Sequence, residues 1–98
     1  MTYAFIQDVP ANEEIYGKIK AELGDVAPAG LIAHVVIRRP DGLRYIDVWN
    51  SRTQWERFQT DAVEPAVGRV LAGYGIPHDH ELVTVEEIDV IDTWLGAA

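Results

Sequence analysis

The chain has 98 residues, 48% of them hydrophobic, and its 16 acidic and 8 basic side chains give a formal net charge of -8. This length predicts one domain over residues 1–98, and the apolar content excludes an intrinsically disordered chain. The excess of acidic groups argues against nucleic acid and membrane surfaces as partners, and the absence of cysteine excludes disulfides and thiolate chemistry.

The first eight residues lack a basic region followed by a long apolar run, so they do not predict a signal peptide. No segment is apolar over the length that a membrane span needs. We therefore expect a cytoplasmic protein.

The first third of the chain predicts a strand followed by a helix. Residues 2–8 alternate between two sets of side chains, as the two faces of a strand do. An apolar residue then recurs every four positions, which indicates one face of a helix. Asn12 is expected to cap this helix and Gly24 to end it. The apolar stripe comprises Ile15, Ile19 and Leu23.

A β-hairpin is predicted next. Residues 30–38 and 43–49 are rich in β-branched and aromatic side chains, as strands are. Between them, residues 39–42 read Arg-Pro-Asp-Gly, with proline at the second turn position and glycine at the fourth. This sequence favours a tight turn.

A second helix is expected after the hairpin. Ser51 and Gln54 have the spacing of a capping box, in which each side chain binds a backbone N–H of the other residue. Pro65 is expected to break or restart this helix because it lacks an N–H. A last strand is predicted within residues 81–91, and residues 91–98 are expected to form a tail. The apolar positions are Trp55, Phe58 and Ala62, and after Pro65 they are Val67, Val70, Leu71 and Tyr74.

The predicted order of elements, β-α-β-β-α-β, is that of the ferredoxin-like α+β fold. Its two crossover helices cover one face of a four-stranded antiparallel sheet. The other face must meet water or a second chain.

The strands carry two sets of side chains on opposite faces, and either set could lie beneath the helices. An aliphatic set suits a face that is packed under helices. A mixed set combines large aromatic rings with an amide and a carboxylate, so it is too apolar for water and too polar for a sealed core. We therefore predict that the mixed face is the open one, and that a homodimer packs it around a pocket for a small apolar or aromatic ligand. The aliphatic set is Ala4, Ile6, Ile46 and Val48, and the mixed set is Tyr3, Phe5, Gln7, Tyr45, Asp47 and Trp49.

Three short segments carry a resemblance to a known family. They are Ala29-Gly30-Leu31 at the start of the second strand, Val48-Trp49-Asn50-Ser51 at the end of the third, and Trp55-Glu56-Arg57-Phe58 in the second helix. Together with the order of elements, they make the chain similar to the dimeric α+β barrel proteins, in the antibiotic-biosynthesis-monooxygenase-like branch. The resemblance implies a homodimer and one of the family's activities, which include cofactor-free oxygenation of polycyclic aromatics, haem degradation and isomerisation.

The pocket residues of that family carry over only in part. The resemblance implies an Asn on the first strand and a Trp on the second helix, where this chain has Gln7 and Phe58, with Trp55 one turn earlier. Haem-degrading members have a His ligand late in the second helical region, and residues 64–74 contain no His. We therefore expect neither haem nor another cofactor.

His34 is the first candidate catalytic residue, and its face depends on the register of the hairpin. A loop of four residues places His34 opposite Asp47, whose carboxylate would orient the ring as a general base. A three-residue loop with a bulge at Gly42 moves His34 beside Val48, and the turn sequence favours this bulge mildly. The alternative to a base is a buried histidine that is satisfied by one hydrogen bond.

Asp47 and Gln7 complete the predicted catalytic set. A carboxylate in the middle of a strand is costly to bury unless it is paired or solvated, so Asp47 is either a pocket residue or an interface ion-pair partner of an arginine. The amide of Gln7 is suited to polarising a ligand. The candidate counter-charges of Asp47 are Arg38, Arg39 and Arg44, and the predicted walls of the pocket are Tyr3, Phe5, Tyr45 and Trp49.

The pair His78 and His80 and the single Trp94 are two further features, and neither predicts a binding site within one chain. His78 and His80 stand two apart, as metal ligands on a strand would, but they follow a loop sequence and no third ligand is evident. We expect no metal there. Trp94 has nothing in its local sequence to cover it, so we expect it to pack on the partner subunit.

Three functions stay open at this point. One is an enzyme that oxygenates or isomerises a flat aromatic substrate without a cofactor, and it needs both a pocket and a base. The second is a non-catalytic binder of a small apolar molecule, which needs only the pocket. The third is a structural dimer, which needs neither.

Overall fold

A computed structural model describes residues 2–76 and 84–96 of the chain. Strands and helices follow one another in the predicted order, so the ferredoxin-like α+β fold is confirmed. The predicted loop with His78 and His80 lies outside the described residues. The elements are β1 (Tyr3–Val9), α1 (Glu13–Leu23), β2 (Leu31–Arg39), β3 (Gly42–Trp49), α2 (Arg52–Phe58), α3 (Glu64–Gly73) and β4 (Thr84–Ile88).

The four strands form one antiparallel sheet in the order β2-β3-β1-β4. α1 connects β1 to β2, and the α2–α3 segment connects β3 to β4, each across one intervening strand. Because α1 and α3 contact each other, both connections run over the same face of the sheet. Within residues 2–76 and 84–96, no helix is long and apolar enough to cross a membrane.

Both predicted ends of α1 are confirmed. The side-chain oxygen of Asn12 accepts a hydrogen bond from the backbone N–H of Ile15 at 2.8 Å, which satisfies one of the free donors at the start of the helix. Gly24 follows the last residue of α1 with φ 85°, in the left-handed region that glycine adopts without strain.

The second helix is capped and then widened rather than broken. Ser51 accepts from the N–H of Gln54 at 3.2 Å, but Gln54 accepts from the Ser51 hydroxyl at 3.1 Å instead of reaching the Ser51 backbone, so the capping box forms only in half. Residues Gln59–Val63 form a π-helical turn that joins α2 to α3. This wider turn accommodates Pro65, which has no N–H and would crowd the carbonyl of Asp61 in a regular α-helix.

The hairpin register places His34 directly opposite Asp47. This is the register of the four-residue-loop alternative. One further pair, Arg39 with Gly42, leaves only Pro40 and Asp41 in the loop. The predicted bulge at Gly42 is wrong, because Gly42 has φ 157° and continues the ladder instead of adopting the left-handed conformation that such a bulge needs. The irregularity lies at the other end of β2, between residues 31 and 33.

The predicted assignment of the two sheet faces is wrong. The rings of Tyr3 and Phe5 lie 5.5 and 4.9 Å from the ring of Trp55 in α2, so the mixed set of side chains lies beneath the helices. The aliphatic set points away from the helices, together with Val35 and Ile37, which are 49% and 41% exposed. We call this second surface the open face. Its apolar residues are Ala4, Ile6, Val35, Ile37, Ile46 and Val48.

The reversal has a physical cause in the pairing of Asp47. The prediction took a face with a carboxylate and an amide as too polar for a sealed core, whereas two neighbouring donors satisfy the carboxylate inside the protein. The mixed face can therefore be buried. Its large rings also reach the aromatic side chains of the helix layer, as Trp49 reaches Phe58 at 5.7 Å.

Candidate active site

A cavity of about 780 Å³ lies between the sheet and the helices. Aliphatic and aromatic side chains from α1, β2, α2 and α3 line most of it, and a few polar groups from the sheet reach into it. A large apolar pocket with convergent polar groups is the usual form of a small-molecule site. Its apolar walls include Ile19, Leu23, Leu31, Trp55, Val67 and Leu71.

A second groove, of about 570 Å³, lies on the outer surface between α1 and α3. Its charged side chains are already paired: Arg69 binds Glu22 at 3.1 Å, and the ammonium of Lys18 lies 4.8 Å from the ring of Tyr74. We place the candidate site in the cavity instead, because polar groups converge there within apolar walls, which they do not in this groove.

His34 and Asp47 form the centre of the polar group. They are opposite residues on β2 and β3, and the Nδ1 atom of His34 lies 2.6 Å from Oδ1 of Asp47. Asp47 is only 6% exposed, and its second oxygen accepts from the indole N–H of Trp49 at 3.1 Å. Each carboxylate oxygen thus has a donor, which is what a buried charge requires.

The carboxylate also determines the tautomer of the histidine. An ionised Asp47 can only accept hydrogen bonds, so the proton of a neutral His34 ring is on Nδ1. The other ring nitrogen, Nε2, is then an acceptor, and the hydroxyl of Tyr16 lies 3.1 Å from it. Tyr16 therefore donates to His34, and the four side chains form one hydrogen-bonded chain. Its members are Trp49, Asp47, His34 and Tyr16.

Two tyrosines surround the imidazole. The ring of Tyr45 meets that of His34 edge-on at 5.4 Å and lies 5.6 Å from the ring of Tyr16. Burial, together with the nearby Tyr16 and Asp47, raises the pKa of the Tyr45 hydroxyl well above its usual value. Burial and the charge of Asp47 also raise the pKa of Tyr16. Both hydroxyls therefore stay protonated near neutral pH and can act as donors.

The structure brings together five of the seven residues that the sequence assigned to the site. His34, Asp47 and Gln7 line the cavity with Tyr45 and Trp49. Trp49 is only 2% exposed, so most of its ring lies in the core.

The predicted wall residues Tyr3 and Phe5 do not line the cavity. Both rings meet that of Trp55 at a tilt, and Phe5 is 1% exposed, so Phe5 belongs to the core at one end of the sheet and Tyr3 borders it, half-buried. The alternation of the strand correctly predicted that Tyr3 and Phe5 share a sheet face with Tyr45. It does not indicate which residues of that face line the cavity.

The predicted arginine partners of Asp47 have other partners. Arg39 and Arg44 bind Asp8, and Arg38 binds Glu13 of α1. Asp8 and Arg44 lie on the open face, whereas Asp47 lies beneath the helices.

Tyr16 is the site residue that sequence reasoning missed. The apolar stripe that predicts α1 comprises Ile15, Ile19 and Leu23, and Tyr16 stands three residues before Ile19 and seven before Leu23. This spacing places it at the edge of the same face. An aromatic residue with a hydroxyl at the border of a buried helix face was the available signal.

No group of three or more His, Cys, Asp or Glu side chains that could hold a metal ion occurs in the part of the chain that the structure describes. The polar groups of the cavity form a chain of hydrogen bonds: a buried carboxylate, an imidazole and a phenol in sequence.

Comparisons with known proteins bear on the fold. No family profile and no curated protein matches the chain. An antibiotic biosynthesis monooxygenase of known structure has a TM-score of 0.60 at 17% identity, covering 94% of this chain and 100% of its own. A mutant of SnoaB, a cofactor-independent oxygenase from Streptomyces nogalater, has a TM-score of 0.58 at 15% identity, covering 94% and 95%.

A protein of unknown function from Nitrosomonas europaea has a TM-score of 0.67 at 11% identity, and the match covers 99% of this chain and 96% of that one. Likeness at such low identity shows the fold and leaves the chemistry to the site itself. The chain has the ferredoxin-like α+β fold of the antibiotic biosynthesis monooxygenase-like proteins.

Proposed function

We propose that the protein is a cofactor-independent monooxygenase-like enzyme that acts on a small aromatic or polyketide-like substrate. One observation carries this proposal: a histidine oriented by a buried carboxylate faces a largely apolar cavity. The fold shared with a cofactor-independent oxygenase supports it.

The proposed role of His34 is that of a general base. Asp47 holds the ring with Nδ1 protonated and compensates the positive charge that appears when Nε2 accepts a proton. The burial of Asp47 strengthens the electrostatic interaction between the two groups, while the side chain of His34 stays 27% exposed. The amide of Gln7 would polarise the substrate, and Tyr45 and Trp49 would contact its flat faces.

Oxygenation in such a site needs no external reductant. For an activated methylene of the anthrone type, the base removes one C–H proton, and the carbanion gives its electrons to O₂ with formation of a C–O bond. Protonation yields a hydroperoxide, and loss of the second C–H proton breaks the O–O bond. The products are a ketone and one water molecule, so CH₂ and O₂ become C=O and H₂O.

The proposal includes a homodimer that forms through the open face. Val35 and Ile37 leave apolar surface on that face, and the tail exposes Ile91 and Trp94 by 96% and 94%. Exposed apolar area of this kind marks an interface between chains. Packing of two open faces, with Trp94 of each chain against its partner, would cover it.

The test is oxygen consumption with anthrone as the probe substrate. We expect His34→Gln and Asp47→Asn to lower kcat by about 100-fold or more, since a positioned general base contributes that much. Asp41→Asn, in the exposed hairpin loop, is the matched control and should retain the rate. Circular dichroism of each variant checks that it is folded.

The alternative, a non-catalytic binder, gives a different result. Anthrone would then quench tryptophan fluorescence in a saturable way, without oxygen consumption. A wild-type protein that neither binds anthrone nor consumes oxygen with it would contradict the proposed function and favour a structural dimer.

A further inference from the structure

We propose that Tyr16 is a catalytic residue of this site, and that its hydroxyl carries the proton between the ligand and the His34–Asp47 pair. This inference rests on the proposed function. It assigns a role to Tyr16, which is not needed if His34 acts as the base by itself. It follows from the position of the hydroxyl in the hydrogen-bonded chain.

The acceptor nitrogen of His34 is already occupied. The Tyr16 hydroxyl lies 3.1 Å from Nε2, and the other ring nitrogen is bound to Asp47 at 2.6 Å. An imidazole in this state has no free nitrogen for a ligand. A molecule in the cavity can contact the phenol, which lines the same cavity, but finds both nitrogens of the base already bound.

The surroundings of Tyr16 suit a proton carrier. Its ring lies nearly parallel to that of His34, with centroids 6.3 Å apart, and contacts the ring of Tyr45 at 5.6 Å, which restricts the positions open to the hydroxyl. Burial and the charge of Asp47 raise the pKa of Tyr16, and this keeps its proton in place until His34 accepts it. A phenol can donate to one partner while it accepts from another, which a relay requires.

The transfer step is balanced. The O–H bond of Tyr16 breaks as its proton moves to Nε2 of His34, where an N–H bond forms. The ligand gives its acidic proton to the Tyr16 oxygen, which restores the hydroxyl. The result is a ligand anion beside an intact phenol, and an imidazolium whose charge is compensated by Asp47.

The competing interpretation is structural: Tyr16 would only satisfy His34, and a ligand would displace it and meet Nε2 directly. Removal of the hydroxyl would then leave the base more accessible. The two interpretations predict opposite effects of Tyr16→Phe, because a relay loses its carrier whereas a displaced cap is no longer an obstacle.

The test compares Tyr16→Phe with Tyr74→Phe. The Tyr74 hydroxyl also donates a side-chain hydrogen bond, to Glu14, but it lies outside the cavity, so it is a matched control. With anthrone and O₂, we expect Tyr16→Phe to lower kcat by about 100-fold with little change in KM, and Tyr74→Phe to match the wild type. An unchanged or higher kcat in Tyr16→Phe would overturn the proposal.

A second measurement does not depend on oxygenation. The dye 4-nitrophenol absorbs at different wavelengths as a neutral phenol and as an anion, and it is added at a pH at which the free dye is neutral. We expect the wild type and Tyr74→Phe to bind it with the spectrum of the anion. In Tyr16→Phe, the ionised fraction of bound dye should fall at least about tenfold, since a hydrogen bond to a charged group is lost.

The two readouts separate the two proposals. If the wild type ionises the dye through Tyr16 but does not oxygenate anthrone, the relay stands and the proposed oxygenase function fails. If it oxygenates anthrone and Tyr16→Phe equals the wild type in rate, the relay fails and the function stands. A wild type that does neither overturns both.

Discussion

At the scale of single residues, Asp47 has the largest influence on the site. Its carboxylate is buried, and each oxygen accepts one hydrogen bond, from His34 and from Trp49. Removal of either donor would leave a buried acceptor without a partner, which costs roughly 1–3 kcal/mol. The same carboxylate orients the imidazole, so stability and proposed chemistry depend on one group.

Asp8 provides a residue-scale test of electrostatics away from the cavity. Arg44 donates two hydrogen bonds to it, of 2.7 and 3.0 Å, and Arg39 donates a third. The hydrogen bonds that Arg44 donates are the main reason why the pKa of Asp8 is lowered to about 2. The hydrogen bond and the positive charge of Arg39 lower this pKa further. Because the unfolded chain has the ordinary value of roughly 3.9, Asp8 adds stability above that pH and loses the contribution as the pH falls toward 2.

We therefore expect Asp8→Asn to be less stable than the wild type near pH 6, and the difference to shrink as the pH falls from about 4 through 2. Urea unfolding of both proteins at several pH values in this range measures it. Asp41→Asn, in the exposed loop, should show no such trend. A wild-type-to-variant difference that is constant over the range would mean that the arginines do not stabilise the ionised form.

At the scale of elements, the hairpin register decides the identity of the site. The two-residue loop places His34 opposite Asp47, and a shift by one residue would turn His34 to the open face. Gly42 contributes to this register. A Cβ atom at Gly42 would lie 2.2 Å from the carbonyl oxygen of Val9, so only glycine permits the close approach of β3 to the end of β1.

We expect Gly42→Ala to lower the free energy of unfolding by about 1–3 kcal/mol, because the backbone must shift to relieve the overlap. Gly17→Ala is the matched control. Gly17 lies in the middle of α1, and a Cβ atom added there would meet open space, so this change should raise stability by about 0.5–1 kcal/mol. Chemical denaturation of the two variants measures both changes in the free energy of unfolding. Equal changes in the two variants would contradict the role given to Gly42.

At the scale of the whole molecule, the sheet separates two kinds of surface. The face beneath the helices carries the hydrogen-bonded chain and the cavity, and the open face carries aliphatic side chains with an ion cluster around Asp8 at one end. A stable interface between two chains buries on the order of 1,200–2,000 Å². The open face and the exposed tail are the surfaces available for it.

The proposed dimer predicts that Ile46→Lys yields a monomer. Ile46 pairs with Ile6 and Val35 in the middle of the open face, so a lysine there would place a charged, hydrated group in the centre of the interface. Light scattering at micromolar concentration should give twice the chain mass for the wild type and one chain mass for the variant. Ala21→Lys, on the exposed side of α1, should stay a dimer, and a monomeric wild type would contradict the dimer.

The order of elements, the caps of α1 and the alternation of the strands were readable from the sequence by itself. They depend on local properties: the side-chain oxygen of Asn12, the freedom of Gly24 and the period of two in a strand. The same alternation correctly grouped Tyr45, Asp47 and Trp49 on one face. The grouping of residues, and with it most of the candidate site, was therefore determined locally.

Only the tertiary structure decided which face the helices cover and where His34 lies. Both depend on contacts between residues distant in sequence: the pairing of Arg39 with Gly42, and the two donors that satisfy Asp47 inside the protein. The role of Tyr16 depends on the tertiary structure for the same reason. Its place on a helix face predicts burial, but it does not predict that the hydroxyl contacts His34 on the sheet. The free energy of a buried polar group depends on its partners, and partners are a property of the fold.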